Sequence, residues 1–130
     1  MGTRKGRSLE VAGLSHGHAP IPMGARVGNV IFSSGIFGKD PAAEGFSERI
    51  EEQMRWAFRN METLLADGEA TSQDVVRMTV YLRDESARAA LNEEWLRYFP
   101  DPADRPARHT VIHDLRGGMQ VQIEIVAVIS

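Results

Sequence analysis

The sequence predicts a single α+β domain, in which a mixed β-sheet carries two helices on one of its faces. Two long segments repeat apolar residues at spacings of three and four, whereas other segments alternate apolar and polar residues. These segments follow one another as strands, helix, strand, helix and strands, and a chain of 130 residues supports one core. We find no internal repeat and no linker. Residues 9–130 are therefore predicted to be one domain, and residues 1–8 a flexible arm.

Composition narrows the class of protein. A hydrophobic content of 42% and a charged content of 25% are those of an ordinary soluble globular protein, and the net charge of −3 provides no basic field for nucleic acid. The absence of cysteine excludes disulfides, thiol catalysis and thiolate metal sites. No segment approaches the roughly 18 apolar residues of a membrane span, and the basic N-terminus precedes no apolar signal region. The cytoplasm is the expected location.

The segment before residue 25 is predicted to be irregular apart from a short edge strand at residues 9–13. It is rich in Pro and Gly and contains His16 and His18. Two histidines at this spacing could be metal ligands, but no third ligand lies near them in the sequence. We therefore predict no metal site here.

Residues 25–35 predict a strand that turns at Gly28 and Asn29, with a buried run at residues 30–32. Ser34 and Gly35 end this unit. Glycine at that point has two interpretations: it admits a ligand or another backbone closely, or it merely lets the chain bend.

Residues 47–67 predict the longest helix, because their apolar side chains form one stripe between the N-cap residue Ser47 and the helix-ending Gly68. Trp56 lies off this stripe, which indicates either an oligomer contact or partial burial under a loop.

Residues 74–83 predict a strand with one apolar face, formed by Val76, Met78, Val80 and Leu82. Residues 86–99 predict the second helix, with Leu91 and Trp95 packing inward. Asn92 stands in the middle of that helix. Because such an asparagine usually hydrogen-bonds something specific, Asn92 is a candidate binding residue.

Residues 105–128 predict a hairpin that carries the chemistry. Its two strand-like runs are joined by Gly117 and Gly118, and the second run alternates apolar and polar residues. Arg108 stands at the root of the first run, after Pro106 and among apolar neighbours. Its forked guanidinium is shaped to hold a carboxylate with two parallel hydrogen bonds.

The face of the sheet opposite the helices is predicted to carry Thr79, Tyr81, Gln122 and Glu124. This face is too apolar in places to be left wholly in water. We therefore expect it to pack against other subunits.

Five segments together resemble the YjgF/RidA family of reactive-intermediate deaminases, many of which carry an older endoribonuclease label. The segments are GNVIFSSG (28–35), DVVRMTVYLRD (74–84), LNEEWLRYF (91–99), RPARHTV (105–111) and VQIEIVAV (121–128). They keep the family's order and spacing. The resemblance implies the chorismate-mutase-like YjgF fold, a homotrimer with sites in the clefts between subunits, and no metal or organic cofactor.

The resemblance also implies a reaction. Typical members hydrolyse enamines and imines, such as 2-aminoacrylate, to 2-oxo acids and ammonia. Arg108 matches the family's substrate-gripping arginine, although His109 replaces the usual serine after it. Arg108 would pair with the substrate carboxylate, and backbone groups near Gly35 and Thr110 would orient the nitrogen. An ordered water would then attack the imine carbon.

Several positions depart from the family pattern. Gln122 stands where a glutamate helps to position the water, and an amide can orient water but cannot take its proton. Ile21 and Ile36 replace a tyrosine and a glutamine, which predicts a more apolar cleft. Such a cleft suits a bulkier substrate, for example an aminomuconate-like imine, or marks lost deaminase activity. His109 and His113 share a strand face and are either general-base candidates or structural and interface residues.

Three functions remain open: a deaminase, a non-catalytic carboxylate-binding regulatory trimer and an endoribonuclease. The negative charge and the lack of a basic aromatic patch disfavour the endoribonuclease. The predicted catalytic residues are Arg108 and Gln122, and the predicted substrate-binding residues are Ile21, Ser34, Gly35, Ile36, Asn92 and Thr110.

Overall fold

The structure, a computed structural model, describes residues 6–130. Within them the helices are α1, Ile50–Asp67, and α2, Arg88–Tyr98, and short 3₁₀ turns occupy Ser72–Asp74 and Glu85–Ala87. The strands are β1, Ser8–Leu9; β2, Gly24–Val27; β3, Val30–Ser33; β4, Ile36–Phe37; β5, Val75–Leu82; β6, Ala107–Ile112; and β7, Val121–Val128. Most of the predicted arm at residues 1–8 lies outside the described residues, and Ser8 already belongs to β1.

The strands form one mixed sheet in the order β1-β2-β3-β7-β5-β6, with β4 also paired to β7. β5 and β6 run parallel, and the other pairs are antiparallel. The predicted mixed sheet is therefore confirmed, but the predicted hairpin at residues 105–128 is wrong. β5 lies between β6 and β7 and pairs with both of them, so the segment containing Gly117 and Gly118 crosses the end of β5.

Both helices pack on one face of the sheet, as predicted. The core contains Phe58, Met61 and Leu64 from α1 and Leu91 from α2, all fully buried. Helix α1 begins at Ile50 and not at Ser47, because the Ser47 hydroxyl bonds the backbone N–H of Arg49 and the carboxylate of Glu52 before the helix starts.

Two residues predicted to point inward face outward. Phe32 is 58% exposed because it pairs with Val126 on the helix-free face of the sheet, so the predicted buried run at residues 30–32 is wrong at this position. Val76 is 47% exposed because a β-bulge between Val75 and Arg77 interrupts the alternation of β5. From Met78 onward the predicted alternation holds.

No helix of the described chain covers the second face of the sheet, which exposes Phe32, Val128 and the bulged Val76. Trp56 is half-buried on α1 with the Arg59 guanidinium 5.2 Å from its ring centre. The oligomer contact, one of the two interpretations of Trp56, remains a prediction. Neither α-helix in residues 6–130 combines the length and the apolar character of a membrane-crossing segment.

Candidate functional site

Arg108 lies on β6, the edge strand, on the side of the sheet that faces α2. Its Nη2 donates a 2.9 Å hydrogen bond to Oδ1 of Asn92, and its guanidinium carbon lies 5.0 Å from the centre of the Trp95 ring. The other terminal nitrogen, Nη1, is buried and has no hydrogen-bond partner among residues 6–130. The prediction that Asn92 bonds something specific is thus confirmed in the structure.

Helix periodicity explains this arrangement. Arg88, Asn92 and Trp95 are spaced by four and three residues and lie along one face of α2. Burial lowers the pKa of the Arg108 guanidinium, and the nearby positive charge of Arg88 lowers it further. An arginine still stays charged at neutral pH. The result is a fixed, partly desolvated cation with one unused donor nitrogen, which a carboxylate would satisfy.

A cleft of about 880 Å³ lies between the loop before β2, the segment after β4 and the loop that joins β6 to β7. Apolar side chains, among them Leu14, Phe37 and Met119, line part of it. Polar side chains at its floor come from the helix-free face of the sheet: Tyr81, Gln122 and Glu124. The cleft therefore combines an apolar wall with hydrogen-bonding groups on rigid strands.

Position 35 has no room for a side chain, because the Gln122 side chain packs directly against it. A Cβ atom at Gly35 would lie 2.3 Å from Nε2 of Gln122, far inside contact distance. The Gly35 carbonyl oxygen lies 3.0 Å from Nε2 of His16, and this ring packs edge-on against Phe37. The group that approaches Gly35 in the structure is the Gln122 side chain, which neither sequence interpretation named.

Tyr81 and Glu124 form a hydrogen-bonded pair at the floor of the cleft. The Tyr81 hydroxyl donates to Oε1 of Glu124 at 3.2 Å, and the Tyr81 ring packs against His113 with 6.1 Å between ring centres. Burial raises the pKa of Tyr81, and the charge and hydrogen bond of Glu124 raise it further. Tyr81 therefore keeps its proton at neutral pH and acts as a donor.

Gln53 anchors the loop beside this cleft, a role that the sequence analysis missed. It is fully buried in α1; its Nε2 donates to the carbonyls of Ser47 and Gly118, and its Oε1 accepts from the backbone N–H of Gln120. The available signal was a polar side chain inside the apolar stripe, next to Met54.

We expect Gln53→Leu to lower the free energy of unfolding by about 2–3 kcal/mol, because it leaves backbone groups of the loop without partners. Denaturant unfolding measures this change. Gln73→Leu, at an exposed position, is the matched control and should change stability by less than about 0.5 kcal/mol. Equal effects of the two substitutions would contradict the anchoring role.

Of the remaining predicted binding residues, Thr110 lies on the same face of β6 as Arg108, whereas Ile21, Ser34 and Ile36 belong to other parts of the chain. Ile21 is 50% exposed, and the Ser34 hydroxyl donates to the Pro22 carbonyl at 2.8 Å. Ile36 is fully buried in the core, so its side chain does not make the cleft more apolar, contrary to the expectation. Thr110 is half-buried on β6.

The histidines are scattered. His109 is exposed on the helix-free face of β6, whereas His16 and His113 line the cleft and His18 is exposed elsewhere. Within residues 6–130 the structure brings no three potential ligands together in an arrangement that could hold a metal ion.

The two predicted catalytic residues lie on opposite faces of the sheet. Arg108 pairs with the buried Met78 of β5, whereas Gln122 pairs with Tyr81 of the same strand. Because side chains alternate between the two faces along a strand, Met78 and Tyr81 face opposite sides, and so do their partners. β6 and β7 are also separated by β5, which puts them about 10 Å apart. One chain therefore does not bring Arg108 and Gln122 together.

The fold and the two half-sites define a class: a small α+β protein that offers a partly buried arginine with an unpaired donor nitrogen at one sheet edge and a polar cleft on the opposite face. Comparison with known proteins gives the family. The family model described as Endoribonuclease L-PSP matches residues 19–129. The chain belongs to this family, the YjgF/RidA proteins.

Similar proteins and a solved structure support this family assignment. A RutC family protein of Aquifex aeolicus is 34% identical over 116 residues, covering 85% of this chain and 93% of that protein. The 2-iminobutanoate/2-iminopropanoate deaminase of Dermatophagoides farinae is 30% identical over 119 residues, covering 86% of this chain and 91% of its own. The solved structure of RidA from an Antarctic Psychrobacter has a TM-score of 0.85 and 27% identity, covering 95% of this chain and 99% of that one.

Proposed function

We propose that the protein hydrolyses a small enamine or imine that carries a carboxylate, releasing a 2-oxo acid and ammonia. The observation that carries this proposal is Nη1 of Arg108, a buried, charged donor without a partner among residues 6–130. Relatives named as reactive-intermediate deaminases support the reaction class.

In the proposed reaction Arg108 binds the substrate carboxylate through two parallel hydrogen bonds, while Asn92 and Trp95 hold the guanidinium in place. The imine carbon then lies over the cleft, where the Gln122 amide orients a water. Attack of this water on the imine carbon gives a tetrahedral carbinolamine, which expels ammonia. Because imines are intrinsically reactive, orientation supplies much of the rate.

We further propose that the site forms between subunits of a homotrimer. Arg108 and Gln122 face opposite sides of one chain, so a second chain must bring an Arg108 to each Gln122 cleft. Contact between two different surfaces is a head-to-tail interface, which closes into a ring. The exposed Phe32 and Val128 on the helix-free face supply apolar surface for it.

The direct test adds the purified protein to freshly generated imines of small 2-amino acids and follows ammonia and 2-oxo acid. We expect both products to appear faster than without protein. The absence of acceleration across a panel of imines would overturn the proposed function.

A second candidate is a non-catalytic carboxylate-binding trimer, which is favoured by the amide at Gln122 in the place where water needs a proton acceptor. In that case 2-oxo acids would raise the melting temperature through Arg108, while turnover would stay at the uncatalysed rate.

Gly35→Ala is expected to lower activity more than stability. The added methyl displaces the Gln122 amide, which lies at the flexible end of its side chain and can move at little cost in folding. We expect kcat to fall by about tenfold or more, because a misplaced orienting group is costly to catalysis, with little change in melting temperature. Gly45→Ala, where nothing lies within 4 Å of the added atom, is the control. A Gly35→Ala enzyme with unchanged kcat would show that the Gln122 position is not used.

A further inference from the structure

We propose that Arg88 binds a second acidic group of the substrate, so that the site prefers imines that carry two carboxylates. This inference rests on the proposed deaminase function for its reaction and deepens it, because it names the side chain that the site selects. The observations that carry it are the position of Arg88 beside Arg108 and the hydrogen-bond donors that both guanidiniums leave unused.

Arg88 and Arg108 are neighbours at one edge of the molecule. Arg88 lies one turn before Asn92 on α2, and side chains at this spacing share a face of the helix. The guanidinium of Arg108 is held at the level of Asn92 by its 2.9 Å hydrogen bond to Oδ1. Burial lowers the pKa of Arg108, and the charge of Arg88 is close enough to lower it further. Two cationic side chains therefore face the same ligand space.

Glu85 orients the Arg88 side chain and leaves part of it unused. Nε of Arg88 donates to Oε1 of Glu85, and Nη2 donates to Oε2 at 3.2 Å. This side-on pair leaves Nη1 of Arg88 without a hydrogen-bond partner among residues 6–130. The Arg88 side chain is 38% exposed, so a ligand can reach that nitrogen. Arg88 is thus a fixed cation with a donor available to an anionic group.

The charges of this pair are not balanced by the described part of the chain. Arg88 has a carboxylate partner in Glu85, whereas the hydrogen-bond partner of Arg108 is the neutral amide of Asn92. Two guanidiniums close together repel one another. A substrate with one carboxylate satisfies Arg108 and leaves the donor of Arg88 unused. A substrate with two carboxylates pairs with both guanidiniums and offsets their repulsion.

The spacing of the two arginines selects the length of the substrate. One helical turn separates Arg88 from Asn92, which holds Arg108, and four residues rise about 6 Å along the helix axis. The two carboxyl carbons of the glutamate imine are separated by four bonds of about 1.5 Å, which span about 5 Å when extended. The imine of glutamate therefore reaches from Arg108 to Arg88. Its imine carbon, next to the first carboxylate, keeps the position that the proposed reaction requires.

The test compares the imines of glutamate and glutamine, whose side chains are equally long and differ in the distal charge. An amino-acid oxidase generates each imine, and the 2-oxo acid is followed. We expect wild-type kcat/KM to be about tenfold or more higher for the glutamate imine, the effect of one charge-assisted hydrogen bond. Arg88→Met should lower the ratio of the two kcat/KM values to about one, because methionine keeps the apolar stem and the helix propensity but has no charge.

Two further variants make this result specific. Arg59→Met removes an exposed guanidinium from α1 and should leave the ratio at its wild-type value. Arg88→Lys keeps the charge without the forked donors and should keep part of the preference. A wild-type ratio of about one, or a ratio that Arg88→Met does not change, would overturn the role of Arg88. Accelerated hydrolysis of both imines in that case would leave the proposed function intact.

Binding measurements distinguish this inference from the proposed function. Calorimetry compares 2-oxoglutarate with its distal methyl ester, which lacks the second charge. We expect wild type to bind 2-oxoglutarate about tenfold more tightly than the ester, and Arg88→Met to bind the two equally. A wild-type protein that shows this difference but hydrolyses no imine would overturn the proposed function and support the second acidic-group site. Equal wild-type affinities would overturn that site, even if inorganic phosphate binds there.

Discussion

Replacing Arg108 by alanine is expected to lower kcat/KM for imine hydrolysis by about 30- to 4000-fold. Loss of one partner from a hydrogen-bonded charge pair costs about 2–5 kcal/mol, and each 1.4 kcal/mol is a factor of ten. The substitution removes the only charge that Asn92 and Trp95 hold at this edge of the described chain. Initial rates over a range of imine concentrations measure the effect.

Two control variants make this result specific. Arg59→Ala removes another guanidinium that lies over a tryptophan, at 5.2 Å from Trp56 on α1, and should leave kcat/KM unchanged. Arg108→Lys keeps the charge but loses the forked donors, and we expect it to recover only a small part of the activity. Full activity of Arg108→Ala would remove the observation on which the proposed function rests.

Phe32→Glu is expected to dissociate the proposed trimer and to abolish activity with it. Phe32 is 58% exposed on the helix-free face, so a single chain tolerates the substitution. An interface between subunits does not tolerate it, because the new carboxylate would be buried there without a partner. Sedimentation analysis should show monomers with an unchanged far-ultraviolet circular dichroism spectrum, and imine hydrolysis should fall to the uncatalysed rate.

Ala66→Glu is the control, because it places the same charge at an exposed position on α1, away from the helix-free face. We expect this variant to assemble and to stay active. A monomeric Phe32→Glu protein with full activity would show that one chain contains a complete site.

Local sequence patterns were enough to predict the elements. The apolar stripe of residues 47–67 and the alternation of residues 121–127 each specify an element and the side of it that is buried, and the structure has both. The sequence also identifies Arg108 as a candidate site residue. An arginine among apolar strand residues is unusual, and this can be recognised without knowing which strands are its neighbours.

The pairing of strands and the contacts between residues far apart in the sequence could not be predicted in the same way. The predicted hairpin at residues 105–128 is wrong because an alternating pattern does not specify which strand a segment pairs with. In the structure β5 lies between β6 and β7 and pairs with both. The bulge at Val76 turns one side chain outward without a local signal. Gln53 and Gly35 depend on partners 67 and 87 residues away, at Gln120 and Gln122, so only the folded chain shows what they do.

The measurement that tests the central claim most directly is complementation between two inactive variants. Arg108→Ala keeps an intact cleft, and Gln122→Ala keeps an intact arginine. The two proteins are unfolded together in equal amounts and then refolded. If each site takes Arg108 from one subunit and Gln122 from the next, about a quarter of the sites should be complete, because random assembly places the two intact residues together with that frequency.

We therefore expect the refolded mixture to recover about a quarter of wild-type kcat, while each variant refolded alone stays inactive. A mixture that remains as inactive as its components, in trimers shown to contain both chains, would contradict a site shared between subunits.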